Sequence, residues 1–155
     1  MSSWKFTIYQ PPGYQRHHLI PVNIMRSPAF AKLFGLIAQA GFNPHCFLNN
    51  GFLLPATEDK SSQTGLPLHR GPHRVYDALI AECLNMIWLA VLTRKIAANP
   101  VSILTHISDL QGQIRRSLGP NAWIRLNQHD PRAVQRQPFL LDVGIEQINL
   151  GLLLA

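Results

Sequence analysis

Four histidines and one asparagine carry the chemistry this chain could do. His17 and His18 are adjacent, Asn50 sits in Asn-Asn-Gly, and His69 and His73 enclose Arg70-Gly71-Pro72. Two imidazoles spaced like His69 and His73 can close on one divalent ion, and a third can join from a neighbouring strand. The fourth can stay off the ion and act as a base toward water. Adjacent histidines must then do different jobs, because neighbouring side chains on an extended strand point to opposite faces. Each residue alone has a plainer explanation. A His-His pair is more often surface or capping chemistry, and Asn50 beside Gly51 is a natural hairpin residue. Arg16, Arg70 and Arg74 flank the histidines, and their guanidinium forks match phosphate geometry. Tyr76 reads as core packing or as a phosphate hydrogen bond, while His45, His106 and His129 fall in no motif and are expected to be exposed or locally bonded.

The elements that must hold these residues are legible in part. Pro11-Pro12-Gly13 interrupts regular structure, and residues 18–22 read as a short extended piece. Ser27-Pro28 opens a helix in which Phe30, Leu33, Phe34 and Ile37 recur at helical spacing and which Gly41 stops. Asn50-Gly51 signals a tight turn into the apolar Phe52-Leu53-Leu54 strand. Residues 57–64 read as a polar loop. Pro72 suits a first turn, so a long helix is expected from about Gly71 or Pro72, with His73 on that turn and His69 just before it. Its apolar residues form two stripes, one through Val75, Leu79, Cys83, Met86 and Ala90 and the other through Ile80, Leu84, Trp88 and Leu92. Such a helix is central to a core or meets a second copy of the chain. Asn99-Pro100 opens a last helix with Ile103, Ile107, Leu110 and Ile114 on one face, ended by Gly119-Pro120. Trp88 and Trp123 read as core, and the apolar runs at 139–143 and 150–154 as short strands or docked ends.

Composition narrows the field. A chain of 155 residues fits one domain. It is 46% hydrophobic and 14% charged. Its longest uninterrupted apolar run, residues 86–92, is far below the roughly 18 residues of a membrane span, and residues 1–10 lack a signal-peptide pattern. Cys46 and Cys83 are too few and too far apart for a disulfide framework, which favours a reducing compartment and a buried thiol at Cys83. The formal charge of +6 suits a polyanionic partner but also suits simple solubility.

In chain order the histidines and Asn50 fall on an extended segment, a turn plus strand, and a helix start. This order, carried by R-H-H-L-I-P at 16–21, N-N-G-F-L-L-P at 49–55 and L-P-L-H-R-G-P-H-R-V-Y at 66–76, resembles the HNH and endonuclease VII superfamily of His-Me finger nucleases. Within it, the chain resembles the AHH family of bacterial nuclease domains. The resemblance implies an α+β, mostly helical fold: a ββα-metal core at about 14–90 and a C-terminal helical extension at about 99–155, all in one domain. It implies His17 as first metal ligand, His18 as general base and Asn50 as the side chain that bonds backbone and fixes the base. His69 and His73 would complete the shell around one Zn2+, Mg2+ or Mn2+ ion, with Arg16, Arg70 and Arg74 on substrate phosphate.

There are two departures from the family pattern. Arg16 stands where the family name has alanine, and Pro72 inside H-R-G-P-H leaves the split of His69 and His73 between metal and phosphate open. The activity implied is metal-dependent phosphodiester hydrolysis, with DNA as first substrate because no base-reading element stands out. The alternatives are an RNase or another hydrolase, or a non-catalytic nucleic-acid-binding domain around a structural metal. Such domains often act as bacterial toxins, for which an acidic immunity protein is the expected partner. A free-standing enzyme is equally open, since the sequence begins at its own Met1 with no delivery module. No membrane partner is expected, and a homodimer would use the two-sided helix. The expected location is the cytoplasm, or delivery by a specialised secretion system without a signal peptide.

Overall fold

Gly13, at φ +80°, turns the chain out of Pro11-Pro12 and launches β1 (Tyr14–His18). The computed structural model describes residues 9–120 and Leu126. β1 ends at His18 because its partner ends there too: the pairing is antiparallel, with Arg16 opposite Leu53, His17 opposite Phe52 and His18 opposite Gly51. The expected extended piece at 18–22 is therefore displaced toward the N-terminus. Leu19 and Ile20 are fully buried, and Pro21 caps α1 (Val22–Met25).

Ser27 Oγ accepts from the Ala29 backbone N–H, and Pro28–Phe30 forms a 3-10 turn that leads into α2 (Ala31–Gln39). Leu33, Phe34 and Ile37 form its buried face, as their spacing requires, and Gly41 follows the helix at φ +82°. Asn50-Gly51 is not a hairpin turn. Asn50 ends a short helix, α3 (Phe47–Asn50), its N–H donating to Cys46 C=O at 3.0 Å, and Gly51 begins β2 (Gly51–Pro55) at φ −115°. The two strands are thus joined by residues 19–50, three helices included, and the local turn signal was overridden by helical pairing with Cys46.

Residues expected to be a polar loop form α4 (Glu58–Thr64). Thr57 Oγ1 accepts from the Lys60 N–H, Glu58 and Asp59 complement the N-terminal dipole, and Gly65 closes the helix at φ +67°. Capping chemistry makes this helix where apolar periodicity is missing.

α5 (Arg74–Leu92) starts at Arg74, after Gly71 turns at φ +75° and His73 takes a non-helical φ −116°, ψ 53°. Pro72 therefore precedes the helix instead of sitting in its first turn. Its buried side chains form one broad face through Tyr76, Ile80, Cys83, Leu84 and Ile87, while Val75 and Leu92 are exposed and Trp88 is half-buried, so the two stripes reduce to one. On length and composition alone this helix could cross a membrane, but its buried face packs within the protein core. α6 (Pro100–Ser117) is capped by Asn99, whose Oδ1 accepts from Ser102 N–H at 2.8 Å, and Ile103, Ile107, Leu110 and Ile114 are completely buried. It packs against α2 and α5 around a single apolar cluster. The fold is α+β and mostly helical, as expected. Trp123, His129 and the apolar runs at 139–143 and 150–154 lie outside the described residues.

Candidate active site

The pleat of β1 separates the two adjacent histidines. His17 is 3% exposed and faces His69, His73 and Tyr76, with ring centroids at 5.0, 5.6 and 4.9 Å. His18 is half-buried on the other face, edge-on to Phe47 at 6.2 Å. Gln15 shares the His17 face and Arg16 the His18 face, as alternation demands.

His69 is brought to the sheet by its own N–H, which donates to Pro55 C=O at 2.7 Å, and the turn at Gly71-Pro72 returns the chain so that the His69 and His73 rings lie 4.6 Å apart. One nitrogen from each of His17, His69 and His73 lies within 4.8 Å of the others. Both histidines stand beside His17.

Two ring nitrogens of the cluster have hydrogen-bond partners. His69 Nδ1 lies 3.0 Å from Gln15 Oε1, and His73 Nδ1 lies 3.1 Å from the Leu126 carbonyl. Both partners are acceptors, so a proton on each Nδ1 satisfies them and leaves each Nε2 its lone pair, as in histidines that bind metal through one nitrogen and are oriented through the other. His17 Nε2 is buried and has no hydrogen-bond partner among the described residues. Burial, followed by His69, His73 and His18, pushes the His17 imidazole down to about 2. Burial and then His73 push His69 down to about 4. Both rings are neutral at neutral pH, with lone pairs ready for a cation. An orphaned buried nitrogen among three imidazoles fits a divalent ion. The donor chemistry narrows it further, because imidazole suits Zn2+ and similar transition ions, whereas Mg2+ prefers oxygen ligands.

On the opposite face, Phe47 forms a shelf. The Arg16 guanidinium carbon stands 5.4 Å from the ring centroid, and a Cβ on Gly51 would lie 2.2 Å from the same ring. Burial, then His45 and Arg16, lower the His18 pKa, so a neutral imidazole capable of taking a proton is present at neutral pH.

Asn50 is completely buried and immobilises the chain after the histidines. Its Oδ1 accepts from Ile20 N–H and its Nδ2 donates to Ile20 C=O, both at 2.9 Å, while its backbone C=O accepts from Leu19 N–H at 2.9 Å. Tyr76 Oη donates to Leu19 C=O at 2.5 Å; burial above all keeps that phenol protonated. Every backbone polar group of Leu19 and Ile20 is thereby satisfied without a third strand. Asn50 Nδ2 also donates to Pro44 C=O at 3.0 Å.

The candidate arginines are less concentrated. Arg16 lies on the His18 face, Arg74 is exposed at the first residue of α5, and Arg70 is exposed with its Nη1 3.7 Å from a Glu58 carboxylate oxygen. His45 is exposed; His106 is half-buried, with Nδ1 lacking a partner among the described residues. Sequence reasoning missed Gln15, Phe47, Gln111 and Arg115, and the carbonyl of Leu126. Gln15 alone left a signal, its i,i+2 relation to His17. Gln111 and Arg115 reach the site from α6, far along the chain, and nothing local marks them.

No curated protein and no solved structure matches the chain. A family model does match residues 3–111, and it describes AHH as a nuclease family of the HNH/ENDO VII superfamily with conserved AHH. The matched stretch contains both strands, all three clustered histidines, His18 and Asn50, although Arg16 stands in place of the alanine. The chain belongs to the AHH nuclease family.

Proposed function

We propose that the protein is a metal-dependent endonuclease that hydrolyses DNA phosphodiester bonds with little sequence preference. The observation that carries this reading is the separation across β1: His17 joins His69 and His73 with an unpartnered Nε2, while His18 is turned away from them, neutral and half-buried. His17, His69 and His73 would hold the ion, with Zn2+ best suited to the imidazole donors. When bound, the ion supplies charge neutralisation at the scissile phosphate and at the leaving oxygen.

His18 accepts a proton from water as the water oxygen bonds to phosphorus and the bond from phosphorus to the leaving oxygen breaks. Asn50 keeps the strand end, and so the base, in place. Arg16, shelved on Phe47 beside His18, grips a phosphate oxygen, and Arg70 and Arg74 hold the backbone on either side. The formal charge of +6 supports a polyanionic substrate. In a toxin setting, an immunity protein would cover this face with acidic side chains facing the arginines.

The test compares supercoiled plasmid, single-stranded DNA and RNA with added Mn2+, Zn2+ or Mg2+. Plasmid nicking should be abolished by chelator. His18→Ala should lose about 100-fold or more in cleavage while retaining metal, and His73→Ala should lose both. Undiminished cleavage by His18→Ala would sink the base assignment, RNA as the preferred substrate would replace the DNA assignment, and metal binding without any cleavage would leave a structural zinc domain.

A further inference from the structure

Gln111 and Arg115 lie one turn apart on α6, and between them they hold two successive residues where α3 passes into β2. Gln111 is 6% exposed, and its Nε2 donates to Asn50 Oδ1 at 2.9 Å. Arg115 Nη1 donates to the Gly51 carbonyl at 2.7 Å. Asn50 Oδ1 thus accepts twice, from Ile20 N–H and from Gln111, and both lone pairs are used.

A side-chain amide can turn over and exchange its oxygen and nitrogen. Ile20 accepts only one orientation, in which oxygen meets N–H and nitrogen meets C=O, and Gln111 donates to the oxygen in that same orientation. Without the Gln111 donor, Oδ1 would keep only the Ile20 N–H and lose one buried partner, so the amide would be held against Ile20 less firmly. Ile20 is two residues after His18, so that loosening would reach the end of β1.

We propose that Gln111, assisted by Arg115, is a positioning residue of the nuclease: it holds the Asn50 amide against Ile20 and thereby sets the direction in which His18 leaves the strand. The proposal rests on the reading of His18 as the base. It makes α6 part of the working site, although no residue of that helix belongs to the histidine motifs.

The test uses the full chain carrying Gln111→Met, which keeps length and removes the donor, with Gln111→Glu as second variant should the first not fold. Ile103→Val serves as a control for packing loss in the same helix. Plasmid nicking gives kcat and KM, titration gives Zn2+ affinity, and hydrogen exchange reads the Ile20 amide. Gln111→Met should lower kcat about tenfold, leave KM and Zn2+ affinity within about twofold, and speed Ile20 exchange about tenfold. Arg115→Met should show a smaller loss that Arg115→Lys restores. A Gln111→Met kcat within about twofold of wild type, or unchanged Ile20 exchange, would overturn the proposal. So would a parallel fall of kcat, KM performance and metal affinity, the pattern of general loosening. If the wild-type chain cuts nothing, or His18→Ala cuts normally, the functional reading fails instead, and Ile20 exchange still decides whether Gln111 holds Asn50.

Discussion

A Cβ built on Gly51 would stand 2.2 Å from the Phe47 ring, although φ at that residue is −115°, which any residue can adopt. Glycine is needed there for space. Gly51→Ala should push Phe47 outward and loosen the shelf shared by Arg16 and His18. We expect a loss of about 1–3 kcal/mol in urea unfolding and a fall in kcat, with Zn2+ affinity kept because His17, His69 and His73 lie on the other face. An unchanged kcat would show that the shelf does not orient the base. At this scale the histidines and Asn50 were legible in the sequence because their side chains have unusual chemistry at readable spacing. Phe47 was not, since its role comes from lying over a glycine and beside an arginine that the chain order separates. Asn50 was legible through the family pattern as a side chain that bonds backbone, and only its local reading as an Asn-Gly turn was mistaken, since its amide pairs with the Ile20 backbone.

Helices with caps and a clear apolar face were predictable. Ser27-Pro28 and Asn99-Pro100 marked two starts, and the isoleucines of α6 marked its face. α4 escaped because Glu58–Thr64 has no apolar stripe and is held by Thr57 and by Ser61 Oγ, which donates to Leu66 C=O at 2.7 Å. The start of α5 was misplaced because Pro72 suits a first turn equally well as a residue just before one. Helix α6 packs on α2 and α5, so truncating its buried face should be felt throughout the described core. Ile103→Ala, at a completely buried position, should cost about 2–5 kcal/mol, read from the shift of the urea midpoint. A cost under about 0.5 kcal/mol, the range of surface substitutions, would contradict the packing described for α6.

For the molecule as a whole, three imidazoles packed together should make stability depend on pH and on added metal. His17 titrates at about 2 in the fold against 6.5 ordinarily. Below 6.5 the unfolded chain takes up the proton and the folded chain does not. Stability is therefore undiminished by this group above about 6.5 and declines as pH falls toward 2, by about 1.4 kcal/mol per pH unit from His17 alone. Calorimetry of the metal-free protein should show Tm dropping between pH 7.5 and pH 5, and added Zn2+ should raise Tm at neutral pH. A Tm that ignores both pH and Zn2+ would argue against a buried histidine cluster. The mostly helical class and the ββα order could be read in advance because they follow from motif order. The long connection between the strands could not, since pairing residues 14–18 with 51–55 is a tertiary choice.

That connection also sets a schedule. Synthesis releases His17 and His18 first, but β1 has no partner until residues 51–55 follow. His69 and His73 come later, then Gln111 on α6, and last the Leu126 carbonyl that meets His73 Nδ1. A ribosome must therefore finish most of the chain before the histidine cluster and its supports can coexist. A growing polypeptide beside its own messenger RNA carries the parts of a nuclease but not yet the assembled tool.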